Sequence, residues 1–208
     1  LGKAIGSFTA ENYNDKVVVG RDNKESSANL EESLIKGLKN TGLEVIKSGE
    51  GPTDYIAFSG MNENSVSVQI TSSHMPLNFN GFKLMYPEGN SFVNRDLSKI
   101  KEIFREEDFI NGDGSIGDKE SFFRKNYIDE LIGFADQVSD DFEDRKIVVD
   151  TLGGAGRDFL PEILRGLGVE VIDLSEKKKK HPYRDPPNPK PELLKELENR
   201  VEEEDADM

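Results

Sequence analysis

The side chains best suited to chemistry stand together in residues 71–83, which read Thr-Ser-Ser-His-Met-Pro-Leu-Asn-Phe-Asn-Gly-Phe-Lys. Ser73 carries a hydroxyl that can act as a nucleophile, and His74 places an imidazole directly after it. Lys83 stands at the end of the segment, where the chain can fold it back toward both. A hydroxyl beside a proton carrier and a cation is suited to group transfer, so this segment is the first candidate for an active site.

The pattern around the segment predicts the elements that hold it. Apolar and polar residues alternate over 65–70, which is typical of a half-buried β-strand. Pro76 cannot continue that strand, the pair Asn80-Gly81 predicts a tight turn, and residues 82–84 can begin a second strand. Ser73 is therefore expected on a loop at the end of a strand, where a rigid sheet commonly holds catalytic groups.

A loop without chemistry explains the same residues. Serine, threonine and histidine side chains satisfy backbone groups in ordinary turns, and Asn-Gly is a common hairpin turn. On residue types alone, this structural explanation stands ahead of catalysis.

The segment resembles a known catalytic loop. Its residues are similar to the Thr-Ala-Ser-His-Asn-Pro…Tyr-Asn-Gly-Phe-Lys loop of the α-D-phosphohexomutases, the phosphomannomutase/phosphoglucomutase family. The serine, the histidine, the proline, the Asn-Gly pair and the lysine stand at matching spacing. The sequence departs from the family pattern where Ser72 replaces alanine, Met75 replaces asparagine and Phe79 replaces tyrosine.

The resemblance continues in order along most of the chain. Residues 17–22, Val-Val-Val-Gly-Arg-Asp, resemble the family's first strand and its Gly-Arg-Asp turn, although Asn23-Lys24 departs from the usual Thr-Arg. Gly153 stands where the family has asparagine. The other matching segments are 26–27, 51–53, 148–156, 187–189 and 192–193. Matches in order over this length make chance a poor explanation.

The resemblance implies an enzyme that moves a phosphoryl group between the 1- and 6-positions of a hexose phosphate, with mannose or glucose as the sugar. Ser73 would carry the phosphoryl group and pass it through a bisphosphorylated sugar intermediate. Once phosphorylated, Ser73 would also be one ligand of Mg²⁺. His74 and Lys83 would move protons to and from sugar hydroxyls, and Arg21 would shape the floor of the site and balance its negative charge.

The resemblance also implies that the chain is the N-terminal portion of a longer enzyme, cut at both ends. Residues 206–208 resemble the lead-in to the family's Asp-Gly-Asp-Ala-Asp-Arg loop, so the remaining magnesium ligands are expected beyond Met208. This portion alone is expected to be inactive. The alternative is a non-catalytic binding or scaffold domain derived from the same family. A serine hydrolase is a third interpretation, but the sequence has no Gly-x-Ser-x-Gly motif.

Composition limits the classes of partner. A net charge of −14 over 208 residues argues against nucleic-acid binding, which needs basic surface. An anionic sugar phosphate would need a local basic pocket, for which Arg21, Lys24 and Lys83 are the candidates. The sequence shows no apolar run long enough to span a membrane and no signal peptide, and it contains no cysteine. A cytoplasmic protein is therefore expected, and the oligomeric state stays open.

Hydrophobic periodicity predicts an α/β fold with two domains. The first, residues 1–140, would hold the phosphoserine loop on a mixed or mostly parallel sheet flanked by helices. A charged linker at 140–145 would lead into an incomplete second α/β domain of similar type, residues 146–208. One predicted helix opens the chain at residue 1. The other predicted helices cover 30–38, 54–61, 97–104, 122–134, 159–167 and 193–201. The predicted strands cover 17–19, 43–46, 65–70, 82–84, 147–149 and 169–173, and residues 109–118 are predicted to be a turn region.

Other motifs favour ordinary structure over ligand binding. The glycine-rich run 153–156 follows a predicted strand, but Phe159 occupies the third glycine position of a dinucleotide loop, so a tight turn is favoured. Residues 111–122 lack the glycine and the glutamate of a calcium loop. The lysine run 177–180 is expected to be a solvated surface turn, and His181 has no second ligand at metal-binding spacing.

Overall fold

The computed structural model describes residues 1–138, 142–175 and 188–208. Contacts divide the chain into two compact units, Leu1–Ser72 with Asn80–Arg124, and Ser73–Phe79 with Lys125–Met208. They are termed unit 1 and unit 2. The linker predicted at 140–145 falls partly outside the described residues, and the domain limits placed there stay a prediction.

A five-stranded sheet forms the centre of unit 1. Its strands are β1 (Lys16–Arg21), β2 (Glu44–Glu50), β3 (Val66–Ile70), β4 (Phe82–Met85) and β5 (Ile116–Asp118). They lie in the order β4-β3-β1-β2-β5, and only β4 runs antiparallel to its neighbour. The prediction of an α/β fold on a mostly parallel sheet is confirmed.

Helices cover both faces of this sheet. The helices numbered in this part of the chain are α1 (Gly2–Asn12), α2 (Glu25–Lys39), α3 (Thr53–Asn62), α4 (Asn94–Glu106) and α5 (Glu120–Val138). On one face, Val19 and Val68 pack in a single apolar cluster with Ile5 of α1, Leu34 of α2 and Ile100 of α4. On the other face, a Cβ added at Gly20 would meet Ile56 of α3. Strand β1 is therefore enclosed on both sides, as parallel sheets require.

Strand β3 is fully buried, and the prediction of a half-buried strand is wrong. All its residues are inaccessible, including the polar Ser67 and Gln69, because α3 covers the face that the alternation assigns to solvent. The Gln69 amide is satisfied internally: its Nε2 donates to the Gly51 carbonyl at 3.1 Å, and its Oε1 accepts from Thr53 Oγ1 at 2.5 Å. Polar side chains inside a sheet persist when they are hydrogen-bonded in this way.

The predicted Asn80-Gly81 turn is also wrong. The Thr71 N–H donates to the Gly81 carbonyl at 2.9 Å, so these residues extend the antiparallel pairing of β3 and β4. The chain reverses earlier, where the Phe79 N–H donates to the Pro76 carbonyl at 2.9 Å. Asn80 lies outside the turn, and its side chain bonds to Ser26 and Ser27.

The region predicted as a turn at 109–118 ends in a strand. Ile116–Asp118 is β5, which pairs in parallel with Val45–Lys47 at the edge of the sheet. Its short length and its Gly and Asp residues conceal it from periodicity, since a three-residue strand shows too little alternation. The predicted helix at 122–134 is correct in type, and α5 extends beyond it in both directions.

Unit 2 contains the second predicted strand–helix–strand arrangement. Strands β6 (Lys146–Val149) and β7 (Glu170–Asp173) pair in parallel, and α6 (Leu160–Gly166) lies between them in the chain. A short 3₁₀ helix, Pro191–Leu193, precedes α7 (Lys195–Glu204). The Val148 N–H donates to the Met208 carbonyl at 2.8 Å, so residues 207–208 lie beside β6. The lysine run 177–180 and His181 lie outside the described residues.

Over the described ranges, none of the helices combines the length and the apolar run needed to cross a membrane.

Helices α1 and α2 cross at a pair of glycines, and this contact gives a test of the fold. A Cβ added at Gly37 would lie 2.8 Å from the Gly2 Cα, so the α1 backbone has to move. Gly37→Ala should lower the free energy of unfolding by about 1–3 kcal/mol, as overpacking does.

The matched control is Gly133→Ala in α5, where an added Cβ meets no atom within 4 Å. That change should raise stability by about 1 kcal/mol through helix propensity alone. Urea denaturation followed by circular dichroism measures both. A stabilised Gly37→Ala variant would contradict the close α1–α2 crossing.

Candidate active site

The backbone of Ser73 adopts a conformation that L-residues rarely take. Its φ is 54°, in the left-handed region, while its side chain is exposed to solvent. Non-glycine residues held in this region are concentrated at functional sites, where the surrounding structure fixes them. The Ser73 Oγ lies 3.3 Å from His74 Nδ1. The structure therefore brings the two predicted loop residues together and presents the serine outward.

Arg21 ends β1 between two carboxylates. Its Nε lies 3.0 Å from Glu31 Oε2 of α2, and its Nη1 lies 2.7 Å from Glu50 Oε1 at the end of β2. Glu31 is buried, and burial raises the pKa of its carboxyl, an effect that the Arg21 charge opposes. Much of the Arg21 charge is thus engaged within unit 1.

Lys83 and Arg21 lie on opposite faces of the sheet. Lys83 is paired with Gln69 on the α3 face, where it lines a groove of about 470 Å³ with Thr53 and Asp54. Arg21 is paired with Ile70 and points to the α2 face. Both belong to unit 1 and stand near the end of β3 where the candidate loop begins. Their placement on opposite faces follows from the strand pairing, which the sequence does not show.

Lys24 and Asn80 form a polar network that the sequence did not reveal. Lys24 is buried, and its ammonium donates to the Ser72 hydroxyl. The Asn80 Nδ2 donates to the hydroxyls of Ser26 and Ser27, each at 2.9 Å, and its Oδ1 accepts from the Gly81 N–H at 2.9 Å. From the sequence, Lys24 is considered only for its charge. The match of residues 26–27 to the family pattern is the one sequence feature that points to the hydroxyls of Ser26 and Ser27.

The described residues do not assemble a metal site. Within 1–138, 142–175 and 188–208, no group of three or more histidine, cysteine, aspartate or glutamate side chains is placed to hold an ion. Ser73 offers a single neutral oxygen until it is modified.

Two family models match the chain. Residues 1–111 match the α/β/α domain I of phosphoglucomutase/phosphomannomutase, and residues 125–208 match domain II of the same family.

Known proteins with the same descriptions are similar to this chain. A phosphomannomutase/phosphoglucomutase from Pseudomonas aeruginosa PAO1 is 32% identical over 213 residues, covering 100% of this chain and 44% of the relative. A phosphoglucomutase/phosphomannomutase from Thermococcus kodakarensis is 35% identical over 202 residues, covering 94% of this chain and 44% of the relative. The crystal structure of a family protein from Burkholderia thailandensis superposes with a TM-score of 0.84 at 25% identity, over 99% of this chain and 45% of that one. The chain thus spans less than half the length of these relatives.

The Arg21–Glu31 pair yields a prediction about the stability of unit 1 and its dependence on pH. Arg21→Met leaves the buried Glu31 charge without its nearest cation, so at pH 7 the free energy of unfolding should fall by about 2–3 kcal/mol. Burial raises the pKa of Glu31 above its value of 4.5 in the unfolded chain. The loss should therefore be complete above the folded pKa and should shrink as pH falls toward 4.5, because the folded state then binds a proton.

Urea titrations between pH 4 and 8 of Arg21→Met, Glu31→Gln and the double variant measure this coupling. If the two single changes add without coupling, the ion pair does not stabilise unit 1.

Proposed function

The chain belongs to the phosphoglucomutase/phosphomannomutase family, and on that premise we propose that the protein containing it interconverts hexose 1-phosphates and hexose 6-phosphates of mannose or glucose. The observation that supports this most directly is the exposed Ser73, held at positive φ inside the segment that resembles the family's phosphoserine loop. Because the chain covers 44% of its curated relatives, the activity is proposed for the protein as a whole.

In the proposed reaction Ser73 is the phosphoryl carrier. The phosphoryl group passes from Ser73 Oγ to a free hydroxyl of the hexose monophosphate. That hydroxyl loses its proton, and the sugar becomes a hexose bisphosphate. The bisphosphate then reorients, so that its other phosphoryl group faces Ser73, and it returns that group to the Ser73 hydroxyl. Catalysis of this kind depends on positioning and charge neutralisation more than on covalent activation.

Proton transfer is assigned to His74 and Lys83. The His74 Nδ1, 3.3 Å from Ser73 Oγ, is close enough to the carrier to exchange a proton with only a small adjustment. Lys83 is exposed on β4 and lines a surface groove, which suits a side chain that must reach a substrate. Arg21 contributes positive charge to the end of β1 and helps to fix the strand end from which the Gly-Arg-Asp turn begins.

Mg²⁺ is the cofactor proposed from the family. Once phosphorylated, Ser73 would supply one oxygen ligand, and hard oxygen ligands of this kind suit the ion. The described residues do not supply the rest of a magnesium site, so no step here is derived through the ion. A hexose phosphate is the proposed partner, and the cytoplasm is the proposed compartment.

Phosphorylation of Ser73 is the first test. After incubation of the protein that contains residues 1–208 with a hexose bisphosphate, phosphopeptide mass spectrometry should place the phosphate on Ser73. Ser73→Ala should abolish this label and lower turnover of mannose 1-phosphate and glucose 1-phosphate by about 1,000-fold or more, because the covalent route is lost. Ser98→Ala, an exposed serine on α4, is the matched control.

Phosphate found on Ser72 with Ser73 unmodified would end the assignment of the carrier. If the protein carries no phosphate and shows no turnover, the alternative is supported: a non-catalytic binding or scaffold protein derived from the same family.

Lys83 gives a second test of the same proposal. Lys83→Ala should reduce kcat by about 100-fold, within the range for loss of a proton-transfer group. Its thermal midpoint should stay close to that of the wild type, because an exposed lysine contributes little to a core. Lys101→Ala on α4 serves as the control. Wild-type turnover in Lys83→Ala would make Lys83 an ordinary solvated strand residue.

A further inference from the structure

The start of helix α2 contacts both ends of the chain segment that carries Ser73. Ser72 precedes the segment 73–79, and Asn80 follows it. Both residues hydrogen-bond to side chains from the short stretch 22–27, which includes the turn after β1 and the first turn of α2. We term this stretch the α2 clamp. The backbone bond between Thr71 and Gly81, at 2.9 Å, closes the base of the same loop.

Lys24 holds the first end of the segment. It is only 6% exposed, and its ammonium donates to the Ser72 hydroxyl. The Lys24 N–H bonds to the Asp22 carboxylate, but among the described residues the Lys24 ammonium forms no ion pair. A negative group beside Ser72 would interact with this ammonium more strongly than the neutral Ser72 hydroxyl does.

Asn80 holds the second end. Its amide donates to Ser26 and Ser27, and its carbonyl oxygen accepts from the Gly81 N–H, so both functional ends of the side chain are engaged. A side chain with all these bonds is fixed in one rotamer. The residue that follows the segment is therefore held as firmly as the residue that precedes it.

Asp22 connects the clamp to the sheet. Its buried carboxylate accepts from Ser27 Oγ at 2.5 Å and from the Lys24 N–H at 3.1 Å. Its own N–H donates to the Ile70 carbonyl at 2.9 Å, the last residue of β3. The clamp thus takes its position from the buried strand that leads into the loop.

We propose that the α2 clamp positions Ser73 for phosphoryl transfer, with Lys24 and Asn80 as its positioning residues. This role rests on the proposed mutase function. It assigns Lys24 and Asn80 a part in catalysis that the resemblance to the family's phosphoserine loop does not imply. Fixing both ends of a seven-residue segment restricts where the residue next to Ser72 can move. Placement of a reacting group within about 1 Å controls rate by about 100-fold.

The charge of Lys24 gives the clamp a second effect. A phosphorylated serine carries a charge of about −2 at neutral pH. Phosphate on Ser73 would add this charge at the residue adjacent to Ser72, to which the buried ammonium is already bound. Lys24 would then favour the phosphorylated form of the segment, and an apolar residue of similar length would not.

Kinetics and hydrogen exchange on the protein that contains residues 1–208 test the proposal. Lys24→Met and Asn80→Ala should each lower kcat by about 10- to 100-fold and leave KM within about twofold, because both side chains are engaged with serines beside the Ser73 segment and in α2. A large rise in KM for Lys24→Met would instead place Lys24 in the basic pocket for the sugar phosphate. Amide exchange in peptides covering 71–81 should accelerate in both variants. Lys24→Arg should recover most of the kcat, since the cation is restored.

The matched control is Asn62→Ala, which removes an exposed asparagine that bonds only within α3 and should change neither kcat nor exchange at 71–81. If Asn80→Ala fails to fold, Lys24→Met and Lys24→Arg still decide the question.

The outcomes separate this proposal from the proposed function. An active wild type whose Lys24→Met and Asn80→Ala variants keep full kcat would overturn the clamp alone. A kcat loss in Lys24→Met that Lys24→Arg does not recover would overturn the role of the charge. A wild type with neither mutase activity nor phosphate on Ser73 would overturn the proposed function itself, and the positioning role with it.

Discussion

Burial of the central strands on both faces is the constraint on which unit 1 depends. Strands β1 and β3 lie inside the sheet, with α1 and α2 on one side and α3 on the other. Every backbone group of these strands must find its partner within the sheet, because neither face admits water. Their register is therefore fixed, and so is the place where each strand ends. The loop that carries Ser73 begins where this enclosure stops.

Two polar residues inside this enclosure, Gln69 and Asp22, are held there by hydrogen bonds. Gln69 stays within β3 because Thr53 and the Gly51 carbonyl satisfy its amide. Asp22, one residue past β1, is buried, and its hydrogen bonds join β1, β3 and α2. A satisfied buried network specifies one arrangement, since any other leaves a polar group unpaired. The positions of the residues next to the loop are therefore set by the hydrogen bonds of the core.

The strand ends and the start of α2 form a base within unit 1, to which Ser72 and Asn80 are bonded. Ser73 and His74, in the segment between these two residues, are exposed to solvent. As the proposed phosphoryl carrier, Ser73 has to be accessible to its substrate and to return to one position in every turnover. Exposure supplies the first requirement, and firm anchoring of Ser72 and Asn80 supplies the second. In this scheme Arg21 belongs to the base, since Glu31 and Glu50 hold it on the α2 face.

The sequence alone determined the α/β class and most helices and strands, and it singled out residues 71–83 as the candidate for chemistry. These follow from local causes: apolar periodicity, proline and glycine, and residues adjacent in the chain. Tertiary structure decided the rest. The alternation in β3 predicted a solvent-exposed face, but α3 covers that face. The pair Asn80-Gly81 favours a turn, but it lies outside the turn, and Asn80 bonds to two serines instead. Lys24 meets Ser72 across 48 residues, and Asn80 meets Ser27 across 53. Contacts at that separation depend on which faces of distant elements meet, and no local pattern contains this information because side-chain direction is fixed only when the sheet assembles.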